Sequence, residues 1–163
     1  MRPVHWLLVV AMALFVSGIG FIIAAARTAS RAPAANTMAA PMPVASVRQI
    51  MKGIVDPAAN AVFNAVSTVE TANGVEEKAP QTDLEWEAIG NSAAALVESG
   101  NLMLVDGRAV DRGDWVTYCK SLIDSSRAAL SATQAKNAKE LFAAGGTLYE
   151  SCDNCHRKYE RVY

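Results

Sequence analysis

Histidine is almost missing from this chain. His5 and His156 are the only two in 163 residues. His5 falls in the N-terminal leader, so a single imidazole remains for chemistry near neutral pH. Aromatic residues are sparse at 7%, β-branched runs are short and Gly/Pro clusters are few. Nothing reads as a strand, which weighs against an α/β fold and the dithiol redox sites that sit at strand–helix junctions. Large charge excess is also missing. A formal net charge of −1 points to neither nucleic acid nor an anionic membrane surface as a partner. No nucleophile–base pattern and no phosphate-cradling glycine loop occurs. Glu85, Glu87, Asp111 and Asp114 lie near helix starts, where capping and the helix dipole account for them. The expectation is a non-enzyme. What is abundant is alanine within a 52% hydrophobic composition, and that favours helix.

Acidic residues are absent up to Arg31, while Arg2, Arg27 and Arg31 supply three of the 15 basic residues. The remaining 12 face all 16 acids, so the rest of the chain is acidic and suits basic patches on its partners. Trp6 to Ala26 carries no charge. It has no polar face, so it is not a core helix of a soluble domain. Two readings stay open for residues 1–26. As a transmembrane anchor, 21 residues at about 1.5 Å each would reach about 31 Å. As a signal peptide, it would use Arg2 as its charged start and cleave after Ala24-Ala25-Ala26. Length favours the anchor; the A-x-A ending and Gly18/Gly20 favour cleavage. Residues 27–43, rich in Ala, Pro, Ser and Thr, read as a flexible linker.

Four helical segments follow. The first runs from about Ala45 to Val69, with Val47, Ile50, Met51, Ile54 and Val55 at helical spacing and Asp56-Pro57 interrupting it. Asn73-Gly74 ends it, and Thr71 to Gln81 reads as a loop. Thr82-Asp83-Leu84-Glu85 is a capping box opening a second helix with Leu84, Ile89, Ala93, Leu96 and Val97 on one face. Gly100 weakens its end. Asp114 caps a third, where Trp115, Cys119, Leu122, Ser126 and Leu130 form the apolar stripe. Cys119 on that stripe reads as a small core residue. Asn137, with Glu140 three residues on, starts the fourth. Its stripe is Leu141, Phe142, Gly145, Leu148, Tyr149, Cys152, Cys155, His156 and Tyr159. Short connections between amphipathic helices imply an antiparallel four-helix bundle.

The last helix carries Cys152-Asp153-Asn154-Cys155-His156. C-x-x-C-H is the attachment signature of a c-type haem. Each thiol adds across one vinyl group to form a thioether, and the adjacent imidazole becomes an axial iron ligand. Cys152 and His156 stand at i and i+4, so one helix face presents all three. The rivals are a dithiol redox pair, a zinc site completed by Cys119, and a disulfide. Zinc wants four tetrahedral ligands, which adjacent Cys155 and His156 supply poorly.

From Val44 to Tyr163 the chain resembles the cytochrome c′ family, the class II c-type cytochromes. The likeness rests on the C-terminal Cys152-x-x-Cys155-His156, the following Arg157-Lys158-Tyr159, the stretch Arg48-Gln49-Ile50-Met51-Lys52, and the four-helix layout. It implies an all-α fold over residues 44–163, an antiparallel four-helix bundle with covalently bound haem, preceded by the N-terminal hydrophobic helix. It implies one haem c per chain, with thioethers to Cys152 and Cys155 and iron on His156. Met51 is the candidate sixth ligand, one residue nearer Arg48 than in methionine-ligated members, and Met103 stands in reserve. Glu160 takes the place after the aromatic residue where the family commonly has Arg or Lys. The implied function is single-electron transfer in the periplasm of a Gram-negative bacterium, with periplasmic or membrane redox proteins as partners. The alternative is a five-coordinate haem protein that binds NO or CO. The family often forms homodimers, so a second copy of the chain is another expected partner.

Overall fold

The structure is a computed structural model and describes residues 3–29 and 42–160. Most of the predicted linker, residues 30–41, lies outside the described residues, as do Arg2 and the last three positions. The chain divides into two units, Met1–Ala40 and Pro41–Tyr163.

The first unit holds α1, Pro3–Ala29, so helix continues three residues into the predicted linker. Its segment Val4–Ala25 has 22 residues and a mean hydropathy of 2.7, long and apolar enough to cross a membrane. Trp6, Leu8, Phe15 and Phe21 are all exposed. A helix that is apolar on every side suits a bilayer or a secretory channel, and α1 has the length and composition of a signal sequence or a membrane anchor.

The second unit is mainly helical. Its first helix, α2, is built from three consecutive pieces: α-helical Val47–Ile50, π-helical Met51–Val55 and α-helical Asp56–Phe63. Ser46 and Gln49 form a capping box at its start, satisfying two orphan donors. The Asp56-Pro57 interruption takes the form of the π turn. Pro57 has no N–H and crowds the carbonyl four residues back. Upstream of it the Asp56 N–H reaches Met51 O, five residues away, and the helix carries on.

Among the described residues the strands form a hairpin. Strand β1, Ser67–Thr71, pairs antiparallel with β2, Gly74–Lys78, Val69 facing Glu76 and Thr71 facing Gly74. The segment expected to be the end of the first helix and a loop is therefore a two-stranded ribbon. Its cause is local: Gly74 takes φ 126°, a conformation that only glycine adopts without strain, and it folds the chain back after Asn73.

Helix α3, Asp83–Met103, opens with the expected capping box: the Thr82 side chain accepts from the Glu85 N–H and Glu85 reaches back to the Thr82 N–H. Its buried stripe is Trp86, Gly90, Ala93, Leu96, Gly100 and Met103. Leu84, expected on this face, is exposed. Gly100 lies inside the helix rather than weakening its end. Helix α4, Asp114–Gln134, begins without a side-chain cap at its boundary residue Gly113. Asp111, not Asp114, receives the Gly113 and Trp115 N–H groups, at 2.8 and 3.1 Å. Trp115, Cys119, Leu122 and Ser126 are buried, and Cys119 belongs to the apolar core.

Lys136, at φ 51°, ends α4. The Asn137 N–H reaches Ala132 O at 2.9 Å and the Lys136 N–H reaches Thr133 O at 3.0 Å, the paired bonds of a Schellman turn. Asn137 also caps α5, Ala138–Tyr159, by accepting from the Glu140 N–H. One residue thus closes one helix and opens the next. Helices α3 and α4 run antiparallel: Gly90 lies against Thr133, and Gly100 against Ile123 and Cys119. Helices α4 and α5 do likewise. Ser125 meets Ser151 at 3.3 Å, and Trp115 packs edge-on against Tyr159.

Candidate functional site

Helices α2 and α5 part around a cavity of about 580 Å³. Arg48, Met51, Lys52, Val55, Ala59 and Phe63 of α2 form one wall, and Tyr149, Cys152, Cys155 and His156 of α5 form the other. Trp115 of α4 also reaches it. The volume falls in the range of about 300–1,000 Å³ typical of small-molecule and cofactor sites. A smaller pocket of about 40 Å³ adjoins the same groups, with Cys119, Met103 and Tyr118 added to its lining.

The structure thus places Met51, Cys152, Cys155 and His156 on one cavity. Cys152 and Cys155 are half-buried and His156 is exposed. Met51 is half-buried at the first residue of the π turn. Met103 is buried at the end of α3 and reaches only the smaller pocket. The stripe expected along α5 divides in two. Leu141, Leu148 and Tyr159 of it are buried, joined by Ala144 and Ser151 from outside the expected set, whereas Phe142 and Tyr149 are exposed. Close helix approach does not explain Gly145 and Gly146: a Cβ at Gly146 would meet nothing within 4 Å, and one at Gly145 would meet Phe63 at 3.9 Å.

All three cysteines are free thiols, so no disulfide joins Cys152 to Cys155. Burial pushes the Cys119 thiol up to about 12 and the neighbouring Cys155 adds to this. Burial pushes Cys155 up to about 11, with Cys152 adding, and raises Cys152 against an opposing hydrogen bond from Ser151. The thiols are neutral at pH 7. A dithiol oxidoreductase instead lowers its attacking thiol to make thiolate. Among the described residues no three His, Cys, Asp or Glu side chains are grouped to hold a metal ion, so a four-ligand zinc site has no geometric basis here. Porphyrin iron asks a chain for only one or two axial ligands.

Sequence reasoning named Tyr159, Lys158, Asp111 and Asp114 but missed the contacts among them that fix the end of α5. Tyr159 is buried, donates its hydroxyl to Asp111 and lies 5.2 Å from Trp115 and 6.1 Å from Tyr118 between ring centroids. Lys158 pairs with Asp114. The Tyr159 hydrogen bond, with the Trp115 N–H next, holds the Asp111 carboxyl below the usual carboxylate range. No family model, curated protein or solved structure matches the chain.

Proposed function

We propose that the chain is a c-type haem protein carrying single electrons on the periplasmic side of a bacterial inner membrane. Helices α2 to α5 are read as an antiparallel four-helix bundle that encloses the group. The observation that carries the reading is the shared cavity: two free thiols and an imidazole within two turns of α5 face Met51 across a space of cofactor size. In this reading Cys152 and Cys155 hold the haem as thioethers and His156 takes the iron. Bound there, haem supplies a one-electron Fe(III)/Fe(II) couple.

The chain's own residues supply the rest. Val55, Ala59, Phe63 and Trp115 give the cavity an apolar wall. Arg48 and Lys52 bring positive charge to a cavity that would receive two carboxylate groups. Met51 offers a thioether from the facing helix. Helix α1 either exports the domain or tethers it to the membrane.

The test is the exported full chain in a host that matures c-type cytochromes. A pyridine haemochrome spectrum with haem that resists acid–acetone extraction is expected. Cys152→Ser and Cys155→Ser should each weaken attachment, and His156→Ala should change the Soret band and spin state. Colourless protein, or freely extractable haem, overturns the reading. The apolar wall beside Met51 also supports the five-coordinate alternative, in which NO or CO binds opposite His156. Carbon monoxide added to reduced protein separates the two: rapid uptake marks an open site, and resistance marks ligation by Met51.

A further inference from the structure

The attachment motif sits at a mechanically weak place. It occupies the last two turns of α5, which ends at Tyr159, and terminal turns fray unless something outside the helix holds them. His156 itself is exposed, and among the described residues no hydrogen bond, ion pair or ring contact holds its side chain. The residues just after it are anchored to the start of α4. Tyr159 is 4% exposed, lodged against Trp115 and Tyr118, with its hydroxyl on Asp111 Oδ2. Lys158 meets Asp114.

Asp111 does two things at once. Its Oδ1 takes the Gly113 and Trp115 N–H groups at 2.8 and 3.1 Å, replacing the cap that Gly113 lacks. Its Oδ2 takes the Tyr159 hydroxyl. One carboxylate therefore joins the loop before α4, the first turn of α4 and the last turn of α5. Trp115 and Tyr159 both line the cavity that His156 lines, so the junction sits at the wall of the site.

We propose that Asp111 is a positioning residue for the attachment motif, fixing the last turn of α5, and His156 with it, to the start of α4 through Tyr159. Its part in tuning an iron ligand rests on the haem reading above; its hold on the helix end does not. The experiment compares the exported full chain as wild type, Tyr159→Phe, Asp111→Ala and Asp111→Asn. Hydrogen exchange reads the amides of Lys158, Tyr159 and Glu160, and resonance Raman reads the iron–histidine stretch. Loss of a hydrogen bond to a charged group should speed exchange of these amides by about tenfold or more in Tyr159→Phe and Asp111→Ala. The iron–histidine band should broaden or shift in the same two variants. Asp111→Asn keeps a carbonyl for the two N–H groups and an amide to meet the Tyr159 oxygen, so it should restore most of both signals. Unchanged exchange in Tyr159→Phe overturns the proposal. Faster exchange with an unmoved iron–histidine band also overturns it, since the junction would then be structural only. Wild type without covalent haem defeats the haem reading alone, and the exchange comparison on that protein still decides whether Asp111 holds the turn.

Discussion

Along the seam between α3 and α4 the backbones come so close that a Cβ at Gly100 would overlap Ile123 Cγ1 and lie 3.2 Å from the Cys119 carbonyl oxygen. Between α2 and α5 a cavity of about 580 Å³ remains. At the first seam Gly90 meets Thr133 and Leu130, and Gly100 meets Ile123 and the Cys119 carbonyl; the second is lined by Met51, Val55, Phe63, Tyr149 and the two motif cysteines. Small residues let two helices meet with no gap. Large residues around the second leave an open space between the helices. The difference teaches where the stability of the domain resides and where it was set aside.

The sharpest way to break that comparison is to truncate one side chain at each place. Leu96 has no exposed surface. Leu96→Ala should cost about 2–5 kcal/mol, because a well-packed site cannot collapse around the void. Met51→Ala should cost under about 1 kcal/mol, since the space beside it already exists. Denaturant unfolding in a Cys152→Ser, Cys155→Ser background keeps covalent haem out of the cavity. Equal losses would mean that both seams are packed alike.

Two glycines sharpen the contrast through opposite signs. Gly100→Ala forces a methyl group into Ile123 and the Cys119 carbonyl, and should destabilise by about 1–3 kcal/mol. Gly146 faces open space, so Gly146→Ala should gain roughly 0.5–1 kcal/mol from helix propensity. Thermal melting of the two variants reads both. A gain at Gly100 would show that α3 and α4 are free to part.

Much of the frame was legible in side chains that act locally. The Thr82/Glu85 capping box, the Asn137 cap and the spacing of Trp115, Cys119, Leu122 and Ser126 depend on neighbours three or four residues away. The hairpin was missed although its signal is present. Asn73-Gly74 between Val69 and Val75 is a hairpin signal, although the turn itself falls at Ala72-Asn73 with Gly74 paired to Thr71, and the apolar run through Val62, Phe63 and Val66 points to more helix. The Asp114 cap is read from its place beside the helix, while the loop geometry that turns Asp111 onto the Gly113 and Trp115 N–H groups is not written in spacing. Leu84, Phe142 and Tyr149 share a residue type with the core but not its face. Asp56-Pro57 signals an interruption but not that it takes the form of a π turn setting Met51 at the cavity, and the Tyr159–Asp111 contact spans 48 positions.

Acid compares the two ends of α4. Asp83 is held below the usual carboxylate range by its hydrogen bond and ion pair with Lys136, just past the end of α4. Asp111 is held below it chiefly by Tyr159, before the start. For each, the folded pKa lies under the unfolded one, so its stabilisation is present above about pH 4 and is lost as pH falls through the folded value. Lys136→Met and Tyr159→Phe should therefore both lower stability at pH 7 and flatten the acid arm of the stability curve. They differ in their response to salt. The Asp83–Lys136 pair is exposed, with its carboxylate side chain at 91% relative accessibility, so about 0.5 M salt should erase most of what Lys136→Met removes. The Tyr159 hydroxyl is neutral and its ring is buried, so the effect of Tyr159→Phe should persist in salt. Unfolding curves between about pH 3 and 7 at both ionic strengths decide it. Salt sensitivity at Tyr159 equal to that at Lys136 would mean that the two ends of α4 are held by the same exposed electrostatics.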